Sequence, residues 1–157
     1  MTIKIAQYRG KSLTSRAIRF MTWGEYSHTA IILSDTEIIE AWQGCNKVRV
    51  ISSLSEGHTK GTPVDIYNIE LTEEEEERAV QFIRKQVGKK YDYFGILGFI
   101  LRRGTQSQGK WFCSELCSAT LNAAGVPLLK RIADSKVSPT LIGISPLLTL
   151  TTREVTV

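Results

Sequence analysis

Three residues set the chemical question. Cys113 follows a glycine-containing loop and opens a stretch of helical periodicity, so its thiol falls in a first helical turn, where free N–H groups and the helix dipole stabilise a thiolate. On such a helix Cys113, Leu116, Cys117, Thr120, Leu121 and Ala124 share one stripe, which turns the thiol toward the rest of the protein. Position alone is equally consistent with a small core residue, the usual fate of a free cysteine. Cys117, one turn deeper, reads as packing. Cys45, in a turn without helix-terminal activation, reads as incidental.

A thiol nucleophile needs a base within hydrogen-bonding reach, and the chain has two histidines. His58 lies in a polar loop, where imidazoles are usually solvated. His28 begins an apolar strand, where a buried ring demands a polar partner, so it is the better base. Glu40 interrupts the otherwise apolar Ile38-Ile39-Glu40-Ala41-Trp42. A buried carboxylate is costly unless paired, which makes it the candidate group to orient His28.

Register decides whether the two meet. A three-residue loop, Ser34-Asp35-Thr36, pairs Leu33 with Glu37 and Ala30 with Glu40, leaving His28 diagonal to Glu40 on one face, about 7 Å away at the backbone. A two-residue turn without a bulge puts them on opposite faces.

The elements that must position these groups follow from periodicity and turn chemistry. Strands are expected over residues 3–8, 28–33, 37–42, 47–51 and 64–69, the middle three as an antiparallel meander, with a polar loop over 52–62. A short amphipathic helix spans 13–23, with Ser12 as N-cap and Gly24 as terminator. A second starts at the capping box of Thr72 and Glu75 and runs to about 87; its acidic first turn matches the helix dipole and has no chemistry assigned. Helices are also expected over 91–102 and 112–124, the latter ended by Gly125, with a polar loop over 104–110 between them and a closing strand over 151–157.

Bulk composition limits the alternatives. A chain of 157 residues, 42% hydrophobic and 23% charged, fits one globular domain. Residues 1–10 contain no secretory h-region, and no apolar run approaches the ~20 residues of a membrane span, so a cytoplasmic protein without membrane insertion is expected. Three cysteines are then free thiols rather than a disulfide framework. The net charge of +4 is spread over short pairs such as Lys89-Lys90 and Arg102-Arg103 rather than a basic face, which argues against nucleic acid as a partner. No CxxC, HxxxH, GxGxxG or Walker-type spacing occurs, so neither a metal nor a cofactor is expected.

Taken in order, Tyr26-Ser27-His28-Thr29-Ala30-Ile31-Ile32, Ile38-Ile39-Glu40-Ala41-Trp42 and Phe112-Cys113-Ser114-Glu115-Leu116 resemble the permuted papain-like superfamily, particularly the YaeF/YiiX-like amidases. These relate to NlpC-type peptidases and lecithin:retinol acyltransferase-like enzymes, and the resemblance extends from about residue 5 to 139. It implies an α+β fold with a central antiparallel sheet and the cysteine helix packed against it. It also implies a Cys113-His28-Glu40 triad that cleaves an amide in a small or murein-derived peptide through an acyl-enzyme. Substrate contacts are expected at Tyr8, Tyr26 and Ser114, with the Cys113 N–H and a donor near Tyr8 or Tyr26 as oxyanion hole. Two alternatives stay open. One is a lipid acyltransferase or thioesterase with an apolar trench at Phe94, Ile96, Leu97, Phe99 and Ile100; the other is a noncatalytic binding protein that keeps the fold.

Overall fold

A computed structural model describes residues 3–93 and 109–157 of the chain. The residues proposed above for an apolar trench, and most of the helix expected over 91–102, lie outside them. Tyr91, expected to start that helix, belongs instead to a strand.

Eight strands form one mixed sheet: β1 (Lys4–Tyr8), β2 (His28–Ser34), β3 (Glu37–Trp42), β4 (Lys47–Ile51), β5 (Pro63–Ile69), β6 (Lys90–Tyr91), β7 (Lys110–Trp111) and β8 (Leu148–Val155), in the order β7-β6-β4-β3-β2-β1-β5-β8. The meander of β2, β3 and β4 is antiparallel as expected, and among the described residues only the two-residue β6 and β7 pair in parallel. Such short pairs leave no periodicity to read in the sequence. β8 begins earlier than expected and pairs antiparallel with β5 from Ile69↔Leu148 to Pro63↔Val155.

Among the described residues four helices accompany the sheet. α1 (Leu13–Met21) is capped by Ser12, whose side chain accepts from the Ser15 N–H. α2 (Glu73–Arg84) carries the Thr72/Glu75 capping box foreseen from sequence. α3 (Cys113–Ala124) ends at Gly125 in the left-handed conformation, φ 88°, which only glycine adopts without strain. α4 (Pro139–Gly143) starts with Ser138 as N-cap and proline in its first turn.

α3 packs against α2, β2 and β3. Its stripe of Cys113, Leu116, Cys117, Leu121 and Ala124 joins Ile5, Ile31, Ile39, Ala41 and Ile83 in the main core. The opposite sheet face buries Ala6, Tyr8, Ala30, Ile32, Ile38, Val64 and Ile66 under Leu54. Among the described residues no helix is long and apolar enough to cross a membrane.

Candidate functional site

The sheet brings the site together as a row of side chains across four strands. Tyr8 of β1 stands opposite His28 of β2, and Glu40 of β3 stands opposite Arg49 of β4. The β2–β3 pairs Ile31↔Ile39 and Ile32↔Ile38 keep even positions beside even ones, so His28 and Glu40 share a face. The means differs from expectation. Ser34, not Leu33, pairs with Glu37, so the turn is the two-residue Asp35-Thr36, and a bulge between Ile32 and Ser34 takes up the odd residue. Without that bulge the two-residue turn would put His28 and Glu40 on opposite faces.

Glu40 is 1% exposed and surrounded by donors. One oxygen, Oε2, lies 2.6 Å from His28 Nε2 and 3.2 Å from His58 Nε2. The other, Oε1, accepts from Arg49 Nε at 2.9 Å and Arg49 Nη2 at 2.6 Å. Burial alone would raise the carboxyl pKa; attraction to His28 and the hydrogen bonds from both imidazoles outweigh it and hold Glu40 well below the usual carboxylate range.

His28 links this carboxylate to the thiol. It hydrogen-bonds Cys113 as well as Glu40, and since Nε2 faces Glu40, Nδ1 is the atom left for sulfur. Burial would push the imidazole pKa down, but the charges of Cys113 and Glu40 and hydrogen bonds to both raise it to about 10. Cys113 itself is 2% exposed and is the first residue of α3, its backbone N–H among those that a helix start leaves free. Cys117 is buried, its thiol pushed well above the ordinary range by desolvation, in keeping with a packing role, and Cys45 is exposed.

His58 corrects the reading of a solvated loop imidazole. Its side chain is 6% exposed, stacked on Tyr8 with ring centroids 4.1 Å apart at 10°, and bonded to Glu40. Burial lowers its pKa, so it is neutral and donates its Nε2 proton to Glu40. Arg49 was also missed, although a signal existed: Glu40 and Arg49 are equidistant from the Gly44-Cys45 turn, so a regular hairpin pairs them. No such signal exists for His58, because the irregular loop over 52–62 gives no register.

The other expected contacts are held elsewhere. The Tyr26 hydroxyl is 2.6 Å from Asp65 Oδ2 and 2.7 Å from the Tyr67 hydroxyl, and Arg9 adds two bonds to Asp65. Ser114 is fully buried and donates Oγ to the Val137 carbonyl at 2.5 Å, so its hydroxyl ties α3 to the segment before α4 instead of facing a ligand. Tyr8 is likewise 0% exposed, its hydroxyl donating to the Leu54 carbonyl, with its ring serving as a wall for both histidines.

A cavity of about 150 Å³ opens beside His28, lined among others by Lys11, Ser27, Trp42, His58 and Tyr91. Tyr91, one of the lining residues, feels the charge of the buried Cys113. Lys11 is the one permanently charged residue in the lining among the described residues. The arrangement can take a proton from a thiol, hold the resulting imidazolium against a fixed carboxylate, and admit a small polar group.

Residues 6–136 match the family described as permuted papain-like amidase enzyme, YaeF/YiiX, C92 family. Among solved structures the chain is similar to one described as metalloprotein yiiX from Escherichia coli O157:H7, with a TM-score of 0.72 and 22% identity over 98% of this chain and 97% of that one. A search of curated proteins finds no significant match.

Proposed function

Because the chain belongs to the permuted papain-like amidase family, whose members are papain-like cysteine hydrolases, we propose that Cys113 is the nucleophile, His28 the general base and acid, and Glu40 the group that orients His28. The observation that carries this is the position of His28, with Nε2 at 2.6 Å from a buried carboxylate and a hydrogen bond to the thiol of a helix N-terminal cysteine. The substrate is an amide in a small, cell-wall-derived or other peptide. The small cavity, with the Lys11 ammonium in its lining, suits a compact peptide with a free carboxylate.

In this mechanism Cys113 gives its proton to His28, and the thiolate attacks the amide carbon. The developing oxyanion meets the Cys113 backbone N–H. As the C–N bond breaks, the His28 imidazolium returns its proton to the leaving amine. A water that loses its proton to His28 then attacks the thioester, releasing the acid and restoring the thiol. Throughout, Glu40 stays ionised and fixes the ring.

Alkylation of Cys113 in a Cys45→Ser background tests the pair without a known substrate. His28 holds its proton until the pH approaches about 10 because the Cys113 and Glu40 charges raise its pKa above the ordinary 6.5. With an imidazolium held beside its sulfur, Cys113 should be alkylated faster at neutral pH than an ordinary thiol, which reacts fully only near pH 8.5. With His28→Ala the rate should fall at neutral pH and climb only near that ordinary range. A slow, ordinary thiol in the parent protein would overturn the assignment.

A further inference from the structure

The hydrolase mechanism leaves one arrangement unused: a second imidazole aimed at the same carboxylate oxygen as the first. His28, Glu40 and His58 bring two ring nitrogens and an oxygen within 4.8 Å of one another, although no short spacing in the sequence announces them. We propose that these three side chains form a site for one divalent transition-metal ion of the Zn²⁺ type.

The donor set fits the ion. Two imidazoles and a carboxylate suit a borderline acid such as Zn²⁺, and three protein ligands leave a fourth position open. With metal–ligand bonds of about 2.0–2.1 Å, tetrahedral ligand atoms stand roughly 3.4 Å apart. His58 Nε2 is already 3.2 Å from Glu40 Oε2; the 2.6 Å separation on the His28 side must lengthen, and the two ring nitrogens, within 4.8 Å, must close toward that spacing.

The surroundings hold the ligands in place. Arg49 occupies Oε1 and leaves Oε2 for the ion, the outer-shell support that ligating carboxylates commonly have. Tyr8 stacks on His58, and Trp42 packs edge-on against His28 with centroids 5.3 Å apart at 81°. Both histidines line the same cavity, which supplies an entry path.

Binding is measured in a Cys45→Ser, Cys113→Ala background, which removes the exposed thiol and the nucleophile as rival ligands. Co²⁺ should give tetrahedral d–d absorption without sulfur charge-transfer bands, and Zn²⁺ calorimetry should give one ion per chain. His58→Ala and, separately, His28→Ala should each weaken binding at least tenfold with an unchanged circular dichroism spectrum. Should either alanine variant misfold, the corresponding Gln variant takes its place. No stoichiometric binding, or binding indifferent to both histidines, overturns the site.

Discussion

Glu40 concentrates the energetics of the site in one carboxylate. Four nitrogen contacts converge on two oxygens that water hardly reaches, and the charge survives there because an arginine and two imidazoles replace its hydration. Glu40→Gln keeps the shape but removes the charge, leaving Arg49 without its carboxylate. Breaking a buried pair from one side costs about 3 kcal/mol or more, which for a domain of this size means a fall in Tm of roughly 6–12 °C by calorimetry. The same variant should slow Cys113 alkylation at neutral pH, since His28 loses part of what keeps its proton in place. Cys113, His28 and Glu40 were legible as residue types in an otherwise apolar setting. His58 was not, because exposure inferred from a polar loop says nothing about where the loop lies.

At the scale of elements, the site depends on how tightly its supports approach one another. α4 lies against the segment leading into β2: a Cβ on Gly24 would collide with the Thr140 side chain, and one on Gly143 would fall 2.9 Å from the Tyr26 ring. Gly24→Ala must therefore push Thr140 and α4 away, an overpacking cost of about 1–3 kcal/mol. Thermal unfolding should show a Tm lower by roughly 2–12 °C, while Ala at Gly88, whose Cβ meets nothing within 4 Å, should carry only the smaller cost of its φ of +88°. The meander, both long helices and their caps were readable because period and capping chemistry are local. The two-residue β6 and β7 and the bulge in β2 were not, because each exists only through its partner strand.

Over the whole molecule, the C-terminus secures the loop that supplies His58. The Gly61 N–H donates to the Thr156 carbonyl at 2.8 Å, the Thr62 N–H to Thr156 Oγ1 at 2.9 Å, and Thr156 Oγ1 to the Thr59 carbonyl at 2.7 Å. Thr156 is 3% exposed although it is next to last in the chain. Removing residues 156–157 strips these bonds at once. At about 1 kcal/mol for each buried hydrogen bond, amide exchange at Gly61 and Thr62 should accelerate on the order of tenfold, read by hydrogen–deuterium exchange, with the α2 core amides unchanged.

The bulge before the Asp35-Thr36 turn has a consequence for how this hairpin tip tolerates change. Surface turns usually accept insertions and deletions freely. Here a single residue gained or lost between Ile32 and Glu37 shifts the phase of β3 against β2 as a frameshift alters every codon downstream: the strand still pairs, yet each side chain beyond the tip faces the wrong way. Lineages of this chain should therefore vary the letters at the tip while conserving their number, or change that number in steps of two.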